Sequence, residues 1–226
     1  MRVADYIVLK FNPDFIILLT IVALINAPYF SKTFIPTGDT LGAFAIFYYF
    51  YNHFFCENEL PHWLAYGLYG VNALLFQLLS LSAFDYLIGL VGWLFRIKDS
   101  LWLFKLSVIG SQLILLCGVY LLARRLYANR LTVFLVSLAA ACCGIWYWQI
   151  DFDYRFFQGV PLALYLLWCF FEEKRPACLW LTGTLLLVTL PGKALYSLPI
   201  LIFSLFLVVL FLLPYYGKCW TCLFTL

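Results

Sequence analysis

Long apolar runs separated by short polar segments dominate the pattern of this sequence. In lipid the backbone must satisfy its own hydrogen bonds, so such runs predict helices, and about 20 residues are needed to cross the hydrocarbon core. The first run also fits a signal peptide, but no small-residue cleavage site follows it, so we predict a retained helix. The runs predict about six membrane-spanning helices: Asp14–Phe30, Leu101–Ala123, Leu131–Trp148, Gln158–Phe171, Cys178–Leu190 and Ala194–Pro214.

Two further segments between the first and second of these runs are ambiguous. Gly42–Phe55 is rich in aromatic residues and carries Asn52 and His53, which is typical of a helix at the membrane interface. Val71–Phe95 is long enough to cross the membrane, but it contains Asp85 and other polar residues. Whether it crosses determines the orientation of every later helix.

The distribution of charge favours a non-crossing Val71–Phe95, because basic residues concentrate in cytoplasmic loops. That arrangement places eight of the 14 basic residues inside: Arg2, Lys10, Arg124, Arg125, Arg130, Lys174, Arg175 and Lys218. It also places seven of the 11 acidic residues outside: Asp39, Glu57, Glu59, Asp85, Asp99, Asp151 and Asp153. We therefore predict a re-entrant or interfacial helix pair within a large first external loop.

Composition agrees with an integral membrane protein of the all-α class. Hydrophobic residues make up 65% of the 226 and charged residues only 11%, whereas a soluble domain has roughly 25% charged residues. The net charge of +3 is too small to indicate a nucleic-acid partner. Most of the eight cysteines lie in apolar runs, where a thiol behaves as a small hydrophobic group. We predict one transmembrane domain over residues 1–226, with the lipid bilayer as its surroundings.

The first candidate for chemistry is Asp39, in the turn-forming segment Pro36–Gly42 just beyond the first helix. A carboxylate at this position can accept a proton from a nucleophilic hydroxyl or hold a divalent cation. The simpler interpretation is a turn residue, or the N-cap of a helix that begins near Thr40. The residues alone leave both interpretations open.

A second acidic site is predicted in the segment Gln149–Phe157. Asp151 and Asp153 would share one side of an extended chain, with Arg155 two residues further on. Such a trio could bind a cation together with a phosphate, or it could be a local charge pairing at a helix end. Acidic residues this close to a bilayer are costly to retain, which favours a function.

Other polar residues are weaker candidates. Glu59 and His62 lie in the sequence CENELPHW, where His62 could bind a phosphate but a solvated loop is the simpler interpretation. Lys193 follows a Pro-Gly break and could contact a lipid phosphate, although an ordinary interfacial lysine is the simpler interpretation. Asp85 and Lys105 could pair with each other or lie at the interface. No nucleotide-binding or hydrolase motif is present, so an enzyme of this kind would need an activated substrate from the membrane.

The order of these segments resembles a known family. A first helix followed by Asp39, an aromatic interfacial helix, and then ELPHWLAYGLYG, SAFDYLIGLVGWLF, DSLWLFKL and GVYLLARRLYANR is similar to the GT-C superfamily of polytopic glycosyltransferases. The similarity is greatest to its YfhO-like and dolichyl-phosphate-mannose-protein mannosyltransferase-like members, and it covers most of residues 14–200.

The resemblance implies an inverting sugar transfer at the external face of a bacterial plasma membrane, with a polyprenyl-phosphate-linked sugar as donor. It implies Asp39 as a general base or metal-associated carboxylate, and Asp151 or Asp153 as the acidic position of the second loop. A divalent cation, Mg²⁺ or Mn²⁺, is expected between Asp39 and Asp153, and Glu59, His62, Arg155 and Lys193 are expected to bind substrate. Family members are generally longer, so we expect this chain to be a truncated module.

A second hypothesis is a non-catalytic membrane protein, such as a lipid flippase, a transporter or an assembly subunit. A transporter needs polar residues at mid-membrane depth on several helices. The runs at residues 131–148 and 194–214 contain almost none. We therefore rank the glycosyltransferase first.

Overall fold

The computed structural model describes residues 12–31, 39–57, 63–64, 71–72, 81–143, 158–189, 202–203 and 206. These residues are mostly helical, as the sequence predicts. The α-helices are α1 (Pro13–Asn26), α2 (Asp39–Phe50), α3 (Ala83–Leu94), α4 (Ser100–Leu126), α5 (Arg130–Ala141), α6 (Val160–Glu173) and α7 (Pro176–Thr189). A 3₁₀ turn (Ala27–Phe30) extends α1, and a π-helical turn (Tyr51–Cys56) extends α2.

Two of the described helical segments are long and apolar enough to cross a membrane, namely Pro13–Phe30 and Ser100–Leu126. Both coincide with predicted runs, and α4, with 27 residues, is about 40 Å long. Helices α6 and α7 fall where the fourth and fifth runs were predicted, with 14 residues each. The sixth run lies almost wholly outside the described residues.

The structure differs from the sequence pattern at two element boundaries. Helix α5 ends at Ala141, where Cys142 forms its C-cap, earlier than the predicted end at Trp148. Val71–Phe95 is not one long element, because Val71–Asn72 pairs antiparallel with Trp63–Leu64 and the described helix begins only at Ala83. With 12 residues, α3 is about 18 Å long, which is too short to cross a bilayer core of about 30 Å.

Helix α4 is the centre of the fold, and α1, α2, α3, α5 and α6 all pack on it. Helix α1 runs antiparallel to it, since the rings of Phe15 and Tyr120 lie 4.9 Å apart at one end and Ser31 contacts Lys105 near the other. Residues of α1, α4 and α5 form one buried cluster: Phe15, Leu18, Val22, Leu116, Tyr120, Ala123, Val133 and Ala141. Helix α6 runs in the same direction as α4, because Leu162 at its start lies against Gly118 and Glu172 near its end pairs with Arg125. Helix α7 packs on α6 and α3.

Helices α2 and α3 cover the first half of α4 with a second, largely aromatic cluster. It contains Ile46, Phe47, Phe50, Tyr51, Phe55, Leu81, Leu103, Phe104 and Val108. The ring of Phe104 lies 5.8 Å from Phe47 and 5.6 Å from Phe44. The sequence predicts the helix but places its aromatic residues at the membrane interface. The structure buries one side of that helix against α3 and α4, and its position at the interface stays a prediction.

Basic residues collect at one end of the helix bundle. The last turn of α4 carries Arg124 and Arg125, α5 begins at Arg130, and Lys174 and Arg175 connect α6 to α7. Arg125 links two of these elements, because its guanidinium donates to Glu172 at 2.8 Å. These are five of the eight residues that the charge pattern predicts for one side of the membrane, and the fold brings them to one end. The other three, Arg2, Lys10 and Lys218, lie outside the described residues.

Candidate functional site

Only one of the predicted site residues lies among the described residues. Asp39 is the first residue of α2, one residue earlier than the predicted helix start near Thr40. The others lie outside the described part of the chain: Glu59, His62, Asp151, Asp153, Arg155 and Lys193. Their convergence with Asp39 therefore remains a prediction.

The packing of α2 determines where Asp39 lies along α4. The Tyr51 hydroxyl donates to the Ile97 carbonyl at 2.6 Å, whereas Phe44 and Phe47 contact Phe104 further along α4. Helix α2 therefore runs antiparallel to the start of α4. Its first residue, Asp39, is at the end that points towards the middle of α4.

The connection between α5 and α6 contains the predicted acidic loop, and its two ends lie near the middle of α4. The Gln112 amide donates to the Ala141 carbonyl at 2.8 Å, which fixes the end of α5. At the start of α6, a Cβ built on Gly118 would lie 2.4 Å from the Leu162 nitrogen. Residues 142–159, which include Asp151 and Asp153, therefore connect two points beside the middle of α4 rather than beside its end.

A buried lysine lies where α1 ends against α4. Lys105 is only 1% exposed, and its ammonium donates to the Ser31 carbonyl at 2.9 Å. The same ammonium lies 5.6 Å from the centre of the Tyr29 ring, within the range of a cation–π interaction. The lysine thus anchors the chain that leads from α1 towards Asp39.

A buried carboxylate joins α3 to α4. Asp85 is 3% exposed and accepts hydrogen bonds from the Ser82 nitrogen at 2.9 Å, the Ser82 hydroxyl at 2.8 Å, and the Ser107 hydroxyl. Ser82 in turn accepts from the Asp85 nitrogen, which completes a capping box at the start of α3. The contacts described for Asp85 and Lys105 are thus with different groups rather than with each other.

Near the middle of α4 a polar network joins three helices. The Asn26 amide of α1 donates to the Gln112 carbonyl oxygen at 2.9 Å and to the Val22 carbonyl at 2.8 Å. Gln112 donates onward to the last carbonyl of α5, on Ala141. Because α5 ends there, its freed carbonyl needs such a donor in a site without water. One further polar atom, the Gln158 side-chain oxygen just before α6, is buried without a hydrogen-bond partner in the described structure.

Replacing Asn26 and Gln112 with leucine should expose their coupling. Each single substitution leaves a buried polar group unmatched, so the double substitution should cost about 0.5–1.5 kcal/mol less than the sum of the singles. Unfolding in SDS–detergent mixtures measures all three variants. Strict additivity of the two single effects would contradict the network.

Sequence reasoning missed Asn26, Ser107 and Gln112 as a group. The available signal was simple: each is a polar residue inside a long apolar run, where such residues are expected to face the protein interior. No spacing rule, however, reveals which of them form hydrogen bonds with each other, because Asn26 and Gln112 are 86 residues apart.

Neither metal ligands among the described residues nor related proteins identify the function of this chain. The described residues contain no group of three or more His, Cys, Asp or Glu side chains that could hold a metal ion. The expected ligand Asp153 lies outside them, so the Mg²⁺ or Mn²⁺ site remains a prediction. Comparisons with protein-family models, curated proteins and solved structures find no match to this chain. Its functional assignment therefore rests on its own residues.

Proposed function

We propose that this chain is a membrane glycosyltransferase of the GT-C type, or a module of one, that uses a polyprenyl-phosphate-linked sugar. The observation that carries the proposal is the packing of α2 and α3 on the first half of α4. The resemblance to the GT-C superfamily implies a large first external loop that contains non-crossing helices and the catalytic aspartate. Here the described part of the chain between the two long apolar helices contains two short helices, and Asp39 begins the first of them.

The proposed topology has six crossing segments with the basic end of the bundle in the cytoplasm. Helix α5 has only 12 residues, so its crossing segment is proposed to include part of the connection to α6. What supports it is the collection of Arg124, Arg125, Arg130, Lys174 and Arg175 at one end, in agreement with the positive-inside rule. Asp39 and the loop that contains Asp151 and Asp153 then belong to the external half. The 12-residue length of α3 favours a helix that does not cross.

In the proposed reaction Asp39 is the general base. It removes the proton of an acceptor hydroxyl as that oxygen forms a bond to the anomeric carbon of the sugar. The bond between the anomeric carbon and the phosphate oxygen breaks, and polyprenyl phosphate leaves with the electron pair. Attack opposite the leaving group inverts the anomeric carbon. Arg155, Lys193 and His62 are proposed to bind the phosphate, and Glu59 the substrate. Asp39 and Asp153 would hold a divalent cation, which would stabilise negative charge on the departing phosphate.

Replacing Asp39 with asparagine should reduce sugar transfer by about 10²–10⁴-fold, the usual contribution of a general base. The assay reconstitutes the chain in liposomes with a panel of polyprenyl-phosphate sugars and measures released polyprenyl phosphate, which reports transfer whatever the acceptor. The matched control is Asp99→Asn, which removes an exposed acid but retains the cap that the Asp99 carboxylate provides to the Trp102 nitrogen.

Labelling of single cysteines distinguishes a catalytic effect from failed insertion. Cysteines at positions 39 and 151 should react with a membrane-impermeant reagent from outside, and a cysteine at position 125 only from inside. Opposite labelling of positions 39 and 151 would refute the single-faced site. A correctly inserted Asp39→Asn variant that releases polyprenyl phosphate at the normal rate would refute the role of Asp39.

The second candidate is a lipid flippase or transporter, and the network of Asn26, Gln112 and the Ala141 carbonyl favours it. Polar contacts and a helix end at mid-membrane depth are typical of transporters. A fluorescent-lipid flipping assay in the same liposomes separates the two functions. Flipping without release of polyprenyl phosphate would favour the second candidate.

A further inference from the structure

A cavity of about 490 Å³ opens where α3 ends against the π-helical turn that follows α2. It lies at the end of the fold opposite the basic end described above, beside the start of α4. Tyr51, Phe55 and Trp93 contribute aromatic walls, and Arg96 and Lys98 contribute two cations. An aromatic cavity with paired cations is suited to an anion that carries an apolar part.

The two cations are not neutralised by side chains within the described structure. Neither Arg96 nor Lys98 forms an ion pair or a side-chain hydrogen bond there, and both are exposed. The nearby acids have other partners: Glu57 pairs with His53 at 2.7 Å, and Asp99 accepts from the Trp102 nitrogen at 3.0 Å. The residues that line the cavity therefore include two cations and no acid.

The backbone holds this cationic turn in a fixed conformation. Arg96 has a left-handed φ of 53°, which costs energy for a residue with a side chain. The turn is closed by bonds from the Arg96 nitrogen to the Trp93 carbonyl at 3.0 Å and from the Ile97 nitrogen to the Gly92 carbonyl at 2.8 Å. The Tyr51 hydroxyl fixes the Ile97 carbonyl from the opposite wall at 2.6 Å. The cations are thus carried by a turn that is already ordered.

Next to the cations the surface is strongly apolar. Trp93, Leu94 and Phe95 are 47%, 62% and 75% exposed at the end of α3, directly before Arg96. Tryptophan is enriched at membrane interfaces, and basic residues at the same level bind lipid headgroups. An alternative explanation is that Arg96 interacts favourably with the negative C-terminal end of α3. This would explain the position of one cation, but it would not explain the cavity or its apolar rim.

We propose that this cavity binds the phosphate headgroup of an anionic phospholipid. Arg96 and Lys98 contact the phosphate, while Trp93 and the exposed apolar residues beside it lie along the glycerol and the upper acyl chains. The site is separate from the chemistry proposed for Asp39. It would bind lipid whether the chain transfers sugars or moves lipids.

The test uses the full chain in nanodiscs of phosphatidylcholine alone or mixed with phosphatidylglycerol. After exchange into neutral detergent, native mass spectrometry counts the retained lipids. The wild-type chain should retain phosphatidylglycerol over phosphatidylcholine, and the Arg96→Gln/Lys98→Gln variant should lose that preference by about tenfold to thirtyfold, since each basic residue near an anionic surface contributes several-fold. Arg130→Gln/Lys174→Gln removes two exposed charges at the opposite end and should retain the preference.

Three results would overturn the proposal. The first is a wild-type chain without preference for phosphatidylglycerol, and the second is an equal loss in the Arg130→Gln/Lys174→Gln control, which would show general charge attraction. The third is displacement of the lipid by inorganic phosphate alone, which would identify a free anion as the ligand. Quenching of Trp93 by brominated phosphatidylglycerol, taken as the difference between wild type and Trp93→Phe, provides a readout that does not depend on the charge variants folding.

Discussion

Replacing Asp85 with alanine is expected to lower the free energy of unfolding by about 2–4 kcal/mol. The carboxylate accepts from the Ser82 nitrogen and from the hydroxyls of Ser82 and Ser107, and all of these groups are buried. Its loss removes a helix cap, which costs about 1 kcal/mol, and leaves buried donors without an acceptor, which costs about 1–3 kcal/mol more. The measurement is unfolding of the detergent-solubilised chain by SDS, followed by far-UV circular dichroism.

The control for Asp85 is Asp99→Ala, at the N-cap of α4. Asp99 also accepts from a backbone nitrogen, that of Trp102, but it is exposed to solvent. Its loss should cost about 1 kcal/mol, because water can replace the carboxylate. If the two variants lose the same stability, Asp85 acts only as a cap, and the buried link through Ser107 contributes nothing.

Replacing Gly118 with alanine is expected to destabilise the bundle by about 1–3 kcal/mol, the usual cost of overpacking. A Cβ at this position would lie 2.4 Å from the Leu162 nitrogen and 2.9 Å from the Leu162 Cα. Both atoms belong to the backbone of α6, so no side-chain rotation relieves the contact and the two helices must separate. Close approach of backbones at small residues is a principal source of helix association in membranes.

The matched control is Gly183→Ala in α7. A Cβ there would meet no atom within 4 Å, and the residue is also within a helix. Alanine is the better helix former, so this variant should be neutral or more stable by up to about 1 kcal/mol. Thermal unfolding in mild detergent compares the two. A Gly118→Ala variant as stable as Gly183→Ala would contradict the close packing of α4 and α6.

Helix α3 connects the buried hydrogen bonds of Asp85 with the lipid site proposed at Arg96 and Lys98. Asp85 fixes the start of this helix against α4, and the cationic turn follows its end. Loss of the Asp85 link should therefore also displace the turn. The lipid experiment is best done in the Asp85 wild-type background for this reason.

The sequence by itself determined the helical class, the two long apolar helices, and the grouping of basic residues at the ends of α4, α5 and α6. These follow from local rules: apolar length, hydrogen bonding of the backbone in lipid, and charge in short loops. The resemblance to glycosyltransferases came from the order of such segments. Its residues other than Asp39 lie outside the described chain, so the site remains a proposal.

Only the tertiary structure decided where α5 ends and which polar residues meet. Gly144 is a local stop signal in the apolar run from Leu131 onwards, but it does not determine the last helical residue. The helix ends at Ala141, where Gln112 supplies a donor for the last carbonyl. Likewise, the sequence shows Asp85 and Lys105 only as single charged residues in apolar runs. The fold gives Asp85 a hydrogen bond from the Ser107 hydroxyl, and it brings the Lys105 ammonium to the Ser31 carbonyl. Such contacts join residues far apart in sequence, so their energies depend on packing that no local pattern encodes.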